Sequence, residues 1–274
     1  MKKTLILLSA GLFIAARIPA QAQFNHPGNS PADNIFAKVF GTSLNFSATM
    51  ETDIKLPDAE KDMTMSGKIY FANGNSRTEM DMAKIQGGKM SPHAADQMKA
   101  MGMDQMISIY RNDTKTIYMI YPGLESYAKL ETPEAKQGTN DSTVAKAELG
   151  KETVDGHPCV KTRYTVANAN KDGDTILIAW QATDLKNYPV KIEMNPPGES
   201  KDQHNPTTTL HFTDINTTQP EASLFEPPTG YHVYTDIRAM MQTEVMKKMN
   251  GGMGMPPNHP GMPAGHPPVA PEHP

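Results

Sequence analysis

Apolar side chains recur at every second position along much of residues 35–235, and this alternation restricts the fold more than any other feature of the chain. A period of two sends successive side chains to opposite faces of an extended strand. Phe46, Ala48, Met50, Ile54 and Leu56 share one face of a first long strand, and Met63, Met65, Ile69 and Phe71 share one face of a second. Further runs lie at 75–83, 105–112, 115–121, 124–130, 146–154, 157–166, 174–181, 188–195 and 207–215, which makes about eleven strands. Turn formers separate them: Asn73-Gly74-Asn75, Arg111-Asn112-Asp113, Tyr121-Pro122-Gly123, Asp155-Gly156 and Lys171-Asp172-Gly173-Asp174. Strands joined by such turns form an antiparallel meander. Long strands with one apolar face curl toward a barrel and need something to cover that face.

Helix signals are few. Ser30-Pro31-Ala32-Asp33 starts one that runs through Phe40 and stops at Gly41. Ser91-Pro92 starts another, through Ala100, with Gly102 after it. Residues 236–249 form the clearest, with Ile237, Met240, Met241, Val245 and Met249 near one stripe and Gly251 beyond its end. The expected fold is mainly β, of the α+β class: a curved antiparallel half-barrel of about eleven strands, a few helices as its lid, and a disordered C-terminal tail.

The ends of the chain differ from this middle. Residues 1–22 read as an export signal: Lys2 and Lys3, a mostly apolar run from Leu5 to Ala16, then Ala20-Gln21-Ala22 as a cleavage pattern. Cleavage after Ala22 and a periplasmic mature protein are expected. No Cys follows the apolar run, so a lipid-attachment signal is missing, and no other stretch is apolar enough to span a bilayer. Residues 23–34 read as a flexible leader and 35–249 as the folded domain with its C-terminal helix. Residues 250–274 are almost entirely Gly, Pro, Met, His and Asn, too poor in apolar surface to offset their ordering entropy. Losing Lys2, Lys3 and Arg17 with the signal takes the formal charge from −4 to −7. Such a chain has no basic footprint for nucleic acid.

The single cysteine, Cys159, lies in "GKETVDGHPCV" (150–160) beside a His-Pro pair. Asp155-Gly156 is a strong signal for a type I′ hairpin, and the flanks alternate as strands: Val154 before it, Val160, Thr162, Tyr164 and Val166 after it. A nucleophilic Cys needs a group that lowers its pKa. His157 is close in sequence, but no second acid or oxyanion element is readable. A redox or intermolecular-disulfide role is a further reading, since no partner Cys exists in the chain. The favoured reading is a buried small hydrophobe.

Three runs carry a family resemblance: "LGKETVDGHPCVKTRYTV" (149–166), "ILIAWQATDLKNYPVKIEM" (176–194) and "TTLHFTDINTTQPEASLFEPPTGYHVY" (208–234). They resemble the lipoprotein-carrier superfamily typified by LolA and LolB, in particular an exported branch of unknown function. The matching positions are Gly150, Glu152, Val154, Gly156 and Cys159; Trp180, Asp184, Leu185, Pro189, Val190 and Lys191; and Leu224, Phe225, Pro228, Gly230 and Tyr231. The resemblance covers roughly residues 40–235. It implies an eleven-stranded half-barrel with helices over the concave face, which agrees with the strand count. The lipid-attachment Cys of the LolB type is missing, and the Met/His tail is outside the family pattern. In the resembled carriers a single Arg helps hold the lid; the resemblance does not assign that role to any one of Arg77, Arg111 and Arg163.

Residues 80–106 hold seven methionines: Met80, Met82, Met90, Met98, Met101, Met103 and Met106. They suit a pliable lid over an apolar cavity, ordinary core filling, or Cu(I) ligation by thioethers. The expected cavity lining is Phe46, Met50, Met65, Ile69, Met80, Met98, Met101, Ile178 and Trp180. In the tail, His259, His266 and His273 recur every seven residues, with Met262 among them. Imidazole and thioether together suit weak copper or nickel binding. No carboxylate pair, G-x-S-x-G, H-E-x-x-H or phosphate loop is present, so no catalytic residue is assigned. The resulting expectation is a non-catalytic periplasmic protein that binds a lipid, acyl chain, lipoprotein or other hydrophobic ligand. Metal binding through the tail is one alternative. An envelope scaffold or stress-sensing module with an envelope protein partner is another.

Overall fold

The computed structural model describes residues 37, 39–55, 62–88, 93–132, 143–167, 174–195 and 206–252. The eleven expected strands are all present: β1 (Phe46–Lys55), β2 (Met63–Ala72), β3 (Asn75–Asp81), β5 (Gln105–Arg111), β6 (Thr116–Tyr121), β7 (Ser126–Glu131), β8 (Val144–Val154), β9 (His157–Val166), β10 (Thr175–Ala182), β11 (Tyr188–Met194) and β12 (Thr207–Asn216). Two more, β4 (Gln86–Gly87) and β13 (His232–Tyr234), are too short for alternation to reveal.

All thirteen belong to one large open curved sheet, ordered β13-β7-β6-β5-β3-β2-β1-β12-β11-β10-β9-β8, with β4 beside β2. Two meanders, β1–β7 and β8–β12, meet where β1 pairs with β12. Every pairing is antiparallel except that of β13 with β7. The β8–β9 turn is the expected one: Asp155 and Gly156 have φ of 49° and 84°, the pair of positive angles a type I′ turn requires.

The registers divide the strand residues between two faces. The inner face carries Phe46, Ala48, Met50, Ile69, Phe71, Tyr164, Leu177, Ala179, Ile192, Leu210 and Phe212 in one apolar cluster. Farther along the same face, Tyr110, Ile117, Met119, Tyr121 and Ala128 form a second. Phe46 anchors the first through ring contacts with Phe71, Tyr188 and Phe212 at centroid distances of 6.1, 5.7 and 6.3 Å. The outer face carries two smaller patches, one around Cys159, Ile178 and Trp180 and one around Ile109, Ile120 and Phe225.

Two described helices accompany the sheet. Helix α1 (Ala94–Ala100) packs against the turn Met82–Lys84. Helix α2 (Ile237–Gly252) lies on the inner face, with Met240 in the second cluster and Ile237 and Met241 against it. Gly251 falls within α2 rather than beyond it, since glycine weakens a helix by about 1 kcal/mol without forbidding it. The stripe also differs: Glu244, one turn beyond Met240 and Met241, is buried. Of the first expected helix, the final turn is described. Gly41 N–H donates to the Ala37 carbonyl at 3.0 Å, and Ala37, Val39, Phe40 and Leu44 pack on the first cluster. The signal, the leader and residues 253–274 lie outside the described residues.

Candidate functional site

The inner face is the candidate site because it carries the two large apolar clusters, one over β9–β12, β1 and β2 and one over β5–β7. In the described residues it is covered at two ends, by the 37–44 turn over β9–β12 and β1, and by α2 over β5–β7. The cover at the β7 end is built by one continuous wrap. Residues 221–231 cross the outer face, where Phe225 packs with Ala72, Ile109 and Ile120, and Leu224 and Tyr231 pack beside them. The chain then runs along β7 as β13, with His232 N–H donating to the Glu125 carbonyl at 2.9 Å. Helix α2 follows over the inner face.

Two arginines that look scattered in sequence fasten this wrap. Arg77 Nη1 donates to the Leu224 carbonyl at 3.0 Å while Nε binds Glu79 at 2.7 Å. Arg111 binds Asp113 through Nε and Nη2 at 2.9 and 2.7 Å, and its Nη1 pairs with Glu226. The Arg111 hydrogen bond holds the Asp113 carboxyl below its ordinary pKa. Arg111 and Glu226 are 115 residues apart, so no sequence pattern announces the pair.

Helix α2 is tied to β13 by one polar contact, which a lysine of the helix itself flanks. Tyr234 Oη donates to Glu244 Oε1 at 2.5 Å, and Lys247 Nζ lies 2.9 Å from the same oxygen. Burial pushes the Glu244 carboxyl up, but the Tyr234 and Lys247 hydrogen bonds outweigh it and hold the group below its ordinary value. Under the helix, burial pushes Tyr121 up to about 12.

The expected lining residues divide. Phe46, Met50 and Ile69 join the first inner cluster. Met65 and Met80 share their face by register, opposite Thr52 and Gly67. Met98 and Met101 belong to α1 and its C-cap and are half-buried. Ile178 and Trp180 lie on the opposite, outer face, with Cys159, Ala182 and Val190. The reason is that β10 reads Ile-Leu-Ile-Ala-Trp, a strand buried on both sides, so its apolar residues do not reveal which side faces inward. Trp180 is covered by Lys161 and Lys191, whose Nζ atoms stand 4.7 and 4.4 Å from its ring centroid, and its indole N–H donates to Glu152. The strand methionines Met63, Met106, Met119 and Met194 also face inward by register, and Met240 of α2 is buried in the second cluster. Their alternation marks their strands but not their common face.

The hairpin around Cys159 holds no nucleophile–base pair. His157 Nδ1 lies 2.8 Å from Asp184 Oδ2, which lowers the Asp184 pKa, while Cys159 Sγ donates to the His157 carbonyl at 3.3 Å. Burial pushes the Cys159 thiol up. Among the described residues no three His, Cys, Asp or Glu side chains form a metal-binding group, and no helix is long and apolar enough to cross a membrane. The tail residues His259, Met262, His266 and His273 lie outside the described residues.

A family model described as a domain of unknown function, DUF4412, matches residues 46–194, from the start of β1 to the end of β11. The chain belongs to the DUF4412 family. The DUF4412 match includes the β8–β9 hairpin and the Trp180 strand but ends before the 221–231 wrap and α2. No curated protein matches the chain. Similar solved structures include a LolA superfamily protein from Nitrosomonas europaea, at 10% identity and a TM-score of 0.35, covering 70% of this chain and 96% of that one. The Mycobacterium tuberculosis lipoprotein LppX has 11% identity and a TM-score of 0.36, covering 70% and 98%. A DUF1329 family protein from Desulfovibrio piger has 11% identity and a TM-score of 0.34, covering 71% and 95%.

Proposed function

We propose that this protein is a non-catalytic, exported, periplasmic binder of a lipid, acyl chain or other hydrophobic ligand, held against the inner face. The observation that carries this reading is the distribution of methionine. Met50, Met63, Met65, Met80, Met106, Met119 and Met194, all the methionines in the described strands, face inward by register. Unbranched, polarizable side chains adapt to irregular apolar partners, and α2 adds Met240 and Met241 from above. Ligand burial there is favourable by about 25 cal/mol per Å² of apolar area removed from water.

Native mass spectrometry after mild extraction tests the reading. A bound lipid-like mass is expected, together with uptake of a hydrophobic dye by the delipidated protein. A clean apo mass combined with no dye uptake would overturn it.

A further inference from the structure

Strand β8 ends the sheet. It pairs with β9 on one side and, among the described residues, with no strand on the other. At 11 residues it is the longest described strand, and the main-chain groups on its free side are a template for another strand. Residues 145–149 and 151–153 are exposed, and Leu149, at 43%, is one of the few large apolar side chains on the described surface. Bulges and lysines commonly blunt such an edge. Here the bulge lies at the middle of the strand: Leu149 is the extra residue between Glu148, opposite Thr162, and Gly150, opposite Lys161. The bulge reverses the alternation. Glu148 and Lys151 therefore face the same way, inward, opposite Thr162 and Val160 of β9, where a regular strand would point them to opposite sides.

We propose that β8 pairs antiparallel with β8 of a second copy of this chain, about a two-fold axis between Leu149 and Gly150. The axis sets Glu148 opposite Lys151 of the second copy, and Lys151 opposite its Glu148, so two ion pairs form on the inner side. The flanking pairs, Lys146 with Thr153, Ala147 with Glu152 and Ala145 with Val154, also join residues that face the same way, as cross-strand pairing requires. An axis through Leu149 or through Gly150 would set inward residues opposite outward ones. An axis one whole residue away would set Lys146 against Lys151, or Glu148 against Thr153, and lose both ion pairs. The charges and the bulge thus select one register. In that register Leu149 of each copy stands beside Gly150 of the other, and around a Cβ position on Gly150 nothing lies within 4 Å. The contact is isologous and closed, so assembly stops at two copies. A single strand pair is a small interface, below about 1,200 Å², so the dimer is weak, with a Kd between about 1 μM and 1 mM.

The test is sedimentation velocity of the full chain across that concentration range, where a monomer–dimer equilibrium is expected. Glu148→Lys sets two lysines against each other at both symmetry-related pairs, and Lys151→Glu does the same with two glutamates. Each variant alone should dimerise about tenfold more weakly than the parent or worse, since every opposite-charge pair becomes a like-charge pair. Mixed in equal amounts, the two variants should associate as tightly as the parent, because each pair between unlike copies is again of opposite charge. The double variant Glu148→Lys with Lys151→Glu should also recover. Both positions are exposed, so the fold is not at stake, and circular dichroism checks it. A chain that stays monomeric throughout, a dimer that the single variants leave unchanged, or a mixture that associates no better than either variant alone would overturn the proposal.

Discussion

Replacing Met240 by Ala should detach α2 from the inner face while leaving the sheet folded. Met240 is 0% exposed and, among the described side chains of α2, is the one within the buried apolar cluster, with Ile237 and Met241 only half-buried beside it. The other firm attachment is the Tyr234–Glu244 hydrogen bond. Truncating a buried Met to Ala costs about 2–5 kcal/mol. A loss of about 3 kcal/mol lowers the docked population of the helix, relative to the undocked one, by a little over a hundredfold. Amide hydrogen exchange reads this directly, because each element reports its own opening free energy. Protection over residues 237–248 should fall by about a hundredfold, with β1, β2 and β9–β12 unchanged and dye uptake increased. Met246→Ala is the control: its side chain is 61% exposed, and surface substitutions cost within about 0.5 kcal/mol. If β1 and β2 lose protection as much as the helix does, α2 belongs to the cooperative core of the sheet. It is then not a separable cover, and the reasoning fails.

Two further outcomes are expected. The Glu244 pKa is lower in the folded protein than its ordinary value, so the ionised group stabilises helix docking above the ordinary carboxylate range, and that stabilisation is lost as pH falls through the folded value. Exchange of α2 amides, corrected for intrinsic rates, should therefore accelerate on acidification in the parent, and Glu244→Gln should remove most of that dependence. Cys159 is 2% exposed and its thiol pKa is raised, so iodoacetamide at pH 8 should label it only when urea unfolds the chain; labelling of the native protein at the rate of a free thiol would contradict the packing.

Much of this architecture is legible in the sequence. Period-two alternation identifies every long strand, and Asp155-Gly156 identifies its turn, because both are local properties of the backbone. The family resemblance carried by the motifs around Gly150, Trp180 and Leu224 implies a half-barrel with helices over its concave face. Local pattern also marks Gly41 as the end of a helical turn and residues 236–249 as a helix, although not its extension through Gly252.

The sides of the sheet are decided by tertiary structure. Alternation says that Ile178 and Trp180 share a face, and that Leu177 and Ala179 share the other, but not which pair faces inward. That depends on register with β9 and β11, set by contacts across the sheet. The same reason hides the link between Arg111 and Glu226, the buried Glu244 beneath α2 and the wrap of residues 221–231 over the β7 edge. Sequence determines which residues of one strand point the same way; strand pairing determines which strands share their neighbours, and with them the site.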